Sequence, residues 1–114
     1  MSLSKQHRLP LRTELRRIKK EGKIIQGKFF SLLLAKCHQP SRFAFIVSKK
    51  IHKRAVKRNR IRRLLAESVR SFLTNIKPDF DIVFLTKKAI VDQGFDQIKN
   101  EVEKIFKKAK LLES

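Results

Sequence analysis

Residues 49–63 read KKIHKRAVKRNRIRR, and nine of these fifteen are Lys or Arg with no acid among them. So many like charges repel one another, and holding them together calls for a polyanionic partner. The apolar residues between the charges show that the stretch folds. Starting from Ile61 and advancing about 100° per residue, Leu65, Ser68, Val69 and Phe72 fall within about 80° of it, with Leu64 about 60° to the other side. This is a core-facing stripe. Asn59, Arg60, Arg62 and Arg63 share the opposite arc. A helix over residues 52–74 therefore buries its C-terminal half and fans guanidinium groups outward from its N-terminal half. Arg54, Lys57 and Arg58 fall on the apolar side, so the first turns overhang the core. The free N–H groups of the helix start add to the attraction for anions. The residues assigned to a polyanion are Lys49, Lys50, Lys53, Arg54, Lys57, Arg58, Asn59, Arg60, Arg62 and Arg63. A merely solvated face would mix its signs.

The rest of the chain reads as a platform for this stretch. With 114 residues it is expected to be a single domain, residues 1–114, with residues 1–10 loose and polar. The net charge of +19 is unevenly placed: residues 22–66 carry thirteen basic side chains and no acid, whereas residues 67–114 carry nine basic and eight acidic. The middle third has the electrostatic footprint of a nucleic-acid protein, and the last third is ordinary scaffold. A single Cys37 excludes an internal disulfide and a Cys-rich zinc site. The chain has no apolar run of membrane-span length and no secretory h-region, so a cytoplasmic location and no membrane partner are expected.

Thr13 is a candidate cap for a helix over residues 14–21, which Gly22 ends. Residues 29–35 (FFSLLLA) and 42–48 (RFAFIVS) read as strands, and the short turn between them predicts an antiparallel pair. Residues 81–86 (DIVFLT) form another strand. Phe95, Ile98, Val102, Ile105, Phe106 and Ala109 recur at helical spacing. The order is α-β-β-α-β-α: an α+β fold in which a small sheet packs with three helices.

No catalytic chemistry is legible. There are three Gly and no phosphate loop, the three His are isolated, and the ten carboxylates do not cluster. Asp79 and Asp81 read as cap and solubility residues at a strand start. Such a chain holds a polyanion rather than cleaving one. On the residues alone, two classes share this profile: a structural RNA-binding protein such as a ribosomal component, and a reader of duplex DNA. Groove readers need base-contacting side chains among their phosphate contacts, and this helix offers cations plus Asn59, which disfavours DNA.

The segment SKKIHKRAVKRNRIRRLLAESVR resembles the signature of the bacterial ribonuclease P protein subunit, with Ala55, Val56, Arg58, Asn59, Arg60, Ile61 and Arg63 at its centre and Ser48, Lys49 and Lys50 before it. The likeness spans nearly the whole chain. It implies a small mixed sheet with a left-handed βαβ crossover around the arginine helix, against the usual right-handed preference. It implies two partners: the catalytic RNA, which performs Mg²⁺-dependent hydrolysis and holds the Mg²⁺, and precursor tRNA, cut at the mature 5′ end. The protein alone would be inactive. The arginine helix would meet the catalytic RNA. A groove between the first helix and the sheet would take the single-stranded 5′ leader, with Arg8, Leu15, Lys19, Phe30 and Leu33 as its residues. The family places aromatic residues where this chain has Leu15, Lys19 and Leu33. Stacking is a common grip on single strands, so this groove would rely on aliphatic packing and a lysine.

Overall fold

The computed structural model describes residues 3–113. Strand β4 (Phe80–Thr86) organises it. In a four-stranded sheet of order β1-β2-β4-β3, β4 runs antiparallel to β2 (Phe30–Lys36) and parallel to β3 (Arg42–Ile46). A three-residue strand, β1 (Lys23–Ile25), adds to the outer edge of β2. Helices α1 (Leu11–Glu21), α2 (Ala55–Phe72) and α3 (Phe95–Lys108) complete an α-β-β-β-α-β-α order.

The sheet is covered on both faces, which explains why β2 is apolar nearly throughout. Side chains alternate across a strand. Phe30, Leu32, Leu34, Phe43, Phe45, Ile82 and Phe84 therefore face α2 and α3 and form the larger core with Ile61, Leu65, Val69, Ile98, Val102 and Phe106. Phe84 is its aromatic centre, with ring centroids 4.9 Å from Phe30, 5.1 Å from Phe45 and 6.0 Å from Phe106. Leu33, Ala35, Ala44 and Val83 face the other way and make a smaller core with Leu9 and Ile18. So α1 forms one layer, the sheet the second, and α2 with α3 the third.

The α+β class and the three helices agree with the sequence, but the pairing does not. Residues 29–35 and 42–48 do not form an antiparallel hairpin, because β4 lies between β2 and β3. A strand with apolar residues on both faces buries most when paired on both edges, and that outweighs the short connection. The gap is closed by polar bonds: Cys37 N–H donates to the Asp79 carbonyl, and Ser41 Oγ accepts from Phe80 N–H and donates to the Lys77 carbonyl.

Element ends differ too. Helix α1 starts at Leu11 rather than after Thr13, because the Pro10 carbonyl accepts the N–H groups of both Thr13 and Glu14. Gly22 does end α1, though with φ −83° rather than in the left-handed region. Its need is for space: a Cβ there would lie 2.5 Å from the Ile18 carbonyl oxygen and 2.8 Å from that of Leu34. Helix α2 begins three residues later than the sequence suggests. The preceding turn is held by Arg58, whose guanidinium donates to the carbonyls of His52 (3.0 Å) and Lys53 (2.9 Å). Residues 3–10 are not loose: Leu3 and Leu9 are buried, Lys5–His7 form a 3-10 turn, and Leu9 N–H donates to the Phe43 carbonyl. The remainder of the expected loose segment, residues 1 and 2, lies outside the described residues.

Leu65 is fully buried and Arg63 exposed on the same helix. Leu65→Ala is expected to cost about 2–5 kcal/mol, and Arg63→Ala less than about 0.5 kcal/mol. Urea denaturation of the two variants checks this, and equal losses would contradict the assignment of faces.

Candidate nucleic-acid interface

Two surfaces on opposite layers carry the candidate residues. The first is the start of α2 and the turn before it. Lys49, Lys50, Lys53, Arg54, Lys57, Asn59 and Arg63 are exposed, whereas Arg58, Arg60 and Arg62 are half-buried. These three reach back over the fold instead of fanning freely outward. Arg60 donates to the Gln93 carbonyl at 3.5 Å, and Arg62 donates to Asn59 Oδ1 at 2.8 Å and to the Val47 carbonyl at 3.2 Å. They brace the loops beside the helix and leave part of each guanidinium at the surface. Lys49, Lys50 and Lys53 lie ahead of the helix, on the turn that delivers the chain to it. Among the described residues no carboxylate forms an ion pair with any cation of residues 49–63. The helix start has no side-chain cap and no acid in its first turn, so its positive end stays unneutralised. Val56, 72% exposed, stands among these cations as an uncovered apolar side chain.

The second surface is the α1 face of the sheet. Helix α1 lies towards the end where Lys36, Arg42 and Asp81 sit, and it is tied there by charge. The Asp81 carboxylate is fully buried and receives Arg42 Nε and Nη2, each at 2.8 Å, together with Arg17 from α1. Arg17 also meets Glu14 at 3.1 Å and Glu21 at 3.3 Å, and Arg42 meets Glu14 at 3.3 Å. The bonds to Asp81 raise the Arg42 pKa above its ordinary value. Burial opposes the charge on Arg17, but its bonds to Glu14, Asp81 and Glu21 outweigh that and raise its pKa as well. Asp81 is thus not the solubility residue that its position at a strand start suggests. Only the fold brings together the two arginines it needs. Asp79 is exposed and adopts a left-handed backbone with φ 71°. Cys37 sits nearby with a thiol pKa raised by burial.

The other end of this sheet face is open. Leu85 and Ile46 are only partly buried against the small core, and Ile24, beside Leu33 in the register, is 55% exposed. Leu15 walls this side. With Ile18 as origin, Leu15 lies at about 60°, Lys19 at about 100° and Arg12 at about 120°, so the last two form a basic rim. The structure packs Leu15 against the cluster that contains Leu33, and the exposed Lys19 follows Leu15 on the same flank of α1. Phe30 is not with them: it is fully buried on the opposite face, against Phe84. Adjacent residues in a strand point opposite ways, so Phe30 and Leu33 cannot share a surface. Arg8 forms an isolated parallel bridge to Phe43 on the edge of β3, in a depression of about 370 Å³ shared with Lys5, Pro10, Gln39 and Arg42. Arg12 belongs to the basic side of this helix in the sequence but not to the expected groove residues; it stands two turns before Lys19 on the same flank and is exposed.

Among the described residues there is no group of three His, Cys, Asp or Glu side chains able to hold a metal ion, and no helix is long and apolar enough to cross a membrane. A cavity of about 260 Å³ beside α2 does contain Asp92 and His52, but Lys57 and Arg60 line it too. Their charge opposes a divalent cation, so the cavity does not fit Mg²⁺.

A three-layer α+β fold with an uncompensated basic helix start on one side and a half-open apolar groove on the other has the charge distribution of a protein that holds a polyanion. A family model described as Ribonuclease P matches residues 3–110. The chain is 36% identical over 101 residues to the ribonuclease P protein component of Caldanaerobacter subterraneus subsp. tengcongensis, covering 88% of this chain and 86% of that protein. Among solved structures it is similar to the Staphylococcus aureus RNase P protein (TM-score 0.82, 28% identity, 95% of this chain and 99% of that one). It is similar also to the RNase P protein from Thermotoga maritima (TM-score 0.81, 29% identity, 89% and 96%). The chain belongs to the ribonuclease P protein component family, and so to a tRNA-processing endoribonuclease. That membership separates it from the ribosomal and DNA-reading classes with the same charge.

Removing Asp81 takes both 2.8 Å hydrogen bonds from the nearly buried Arg42 and leaves it and Arg17 to share the more distant Glu14, with Glu21 on Arg17. Asp81→Ala is expected to cost about 3 kcal/mol or more. Arg17→Ala should cost less, since Arg17 is partly exposed and Arg42 remains on the carboxylate. Urea midpoints of the two variants check the ranking, which equal losses would contradict.

Proposed function

We propose that this protein binds the catalytic RNA of ribonuclease P through the basic turn and start of α2, and the 5′ leader of precursor tRNA in the groove between α1 and the open end of the sheet. The observation that carries the reading is the separation of these surfaces onto opposite layers of a three-layer fold. One protein can then touch two RNA segments at once and hold the substrate against the catalyst. At α2 the contacts are to phosphates: exposed lysines and arginines, together with the free N–H groups of the helix start, neutralise backbone charge without reading bases. In the groove, Leu15, Leu33, Leu85 and Ile46 offer an apolar floor, and Arg12 and Lys19 a rim for the leader phosphates. The protein contributes position and charge. Mg²⁺, held by the RNA, supplies the hydrolytic chemistry, and the protein alone does not cleave. The place of action is the cytoplasm.

Reconstitution tests this reading. Mixed with a ribonuclease P RNA and labelled precursor tRNA at low Mg²⁺, the protein is expected to stimulate 5′ processing; no stimulation would refute the proposal. In the same assay, Lys19→Ala should weaken binding of precursor tRNA and leave mature tRNA unaffected. Equal weakening of both would mean that Lys19 contributes only to the general positive field.

A further inference from the structure

Helix α1 sorts its charges by side. Glu14 and Glu21, its only acids, lie at about −40° and −60° from Ile18, on the flank that turns to Asp81. Both are engaged with Arg17. The opposite arc, from about 100° to about 200°, holds Lys19, Arg12, Arg16 and Lys20 in that order. All four are exposed, and none forms an ion pair among the described residues. A face that needs only to be wet would interleave its signs. Here the helix has acids and spends them elsewhere, although like charges at i,i+4 spacing, as in Arg12, Arg16 and Lys20, destabilise an isolated helix.

This arc is continuous with the groove. Its first members, Lys19 and Arg12, are the rim beside Leu15, and its last, Arg16 and Lys20, point away from the sheet. It is also separate from α2, which packs on the opposite face of the sheet, so RNA held at α2 does not cover this face. Arg12, Arg16 and Lys20 advance along the helix by about 6 Å each, the rise of four residues. This spacing suits a flexible backbone with one charge per nucleotide.

We propose that the outward face of α1, carried by Arg16 and Lys20, is a second phosphate track, occupied by the 5′ leader of precursor tRNA where it runs beyond the groove. The proposal rests on the groove reading above and extends it: leader length, beyond what the groove accommodates, adds affinity through charge alone and without regard to sequence.

The test uses the reconstituted ribonucleoprotein and precursor tRNAs with no leader, with a leader of about five nucleotides, and with one of about fifteen, spanning the range of site sizes that small domains cover. Wild-type protein should bind the long leader more tightly than the short one. Arg16→Glu with Lys20→Glu should abolish that increment, leave short-leader binding unchanged, and reduce the salt slope for the long leader by at least about 1.4, two contacts at about 0.7 each. Swapping the pair to Arg16→Lys and Lys20→Arg should retain the increment. Far-UV circular dichroism and urea midpoints verify that the variants fold. If the short leader adds affinity and the long one adds nothing more, the track is refuted and the groove stands. If neither leader adds affinity, the groove reading falls with it. If the charge reversal weakens assembly with the catalytic RNA in the absence of substrate, the arc is an RNA-subunit surface and the proposal is overturned.

Discussion

The buried carboxylate of Asp81 is the point on which the placement of α1 depends. It sits at the start of the central strand with no exposed side-chain surface, where an unpaired charge would be severely penalised. Arg42 from β3 and Arg17 from α1 satisfy it from two sides. Apart from this network, α1 rests on the sheet through Leu11, Leu15 and Ile18. A contact so small and non-directional sets neither the position nor the tilt of a helix well. A buried carboxylate with two arginines does, because its hydrogen bonds have direction. Tying α1 to this end of the sheet leaves the other end uncovered, and that uncovered end is the groove.

The same economy governs the acids elsewhere. Glu101 is buried and accepts the Lys28 N–H, and Lys87 and Lys108 donate to the carbonyls of Gly27 and Gln26, so the loop between β1 and β2 is held from α3 and β4. With Glu14, Glu21 and Asp81 tied to Arg17 and Arg42, and Glu101 to the Lys28 N–H, the outward arc of α1 and the first turns of α2 are left with cations alone. The positive field is therefore a consequence of where the carboxylates went as much as of how many lysines and arginines the chain contains.

Much was readable without coordinates. The stripe of Ile61, Leu65 and Val69 and the periodicity of α3 are local patterns, set by 3.6 residues per turn, and both helices bury the sides that the periodicity indicates. What failed were matters of partnership. The turn at residues 38–41 suggested a hairpin, but strand neighbours are chosen by burial over the whole sheet, and β4 outcompeted the local pairing. The resemblance puts Phe30 in the leader groove with Leu33, yet an odd separation along β2 places them on opposite faces. The three-residue β1 is too short for any periodicity to register. Arg60 and Arg62 were assigned to a free fan, whereas the carbonyls of Gln93 and Val47 lie within their reach.

By itself, the sequence determined the charge field, the helix faces and the family, since each is written in residues close together along the chain. Tertiary structure alone decided that Asp81 would become the anchor of α1, that β4 would part β2 from β3, and that the two basic surfaces would stand on opposite layers. These depend on residues as far apart as Arg17 and Asp81. Which distant groups meet is settled by the free energy of burying the entire apolar set at once, with every enclosed charge paired, and no local window of sequence contains that information.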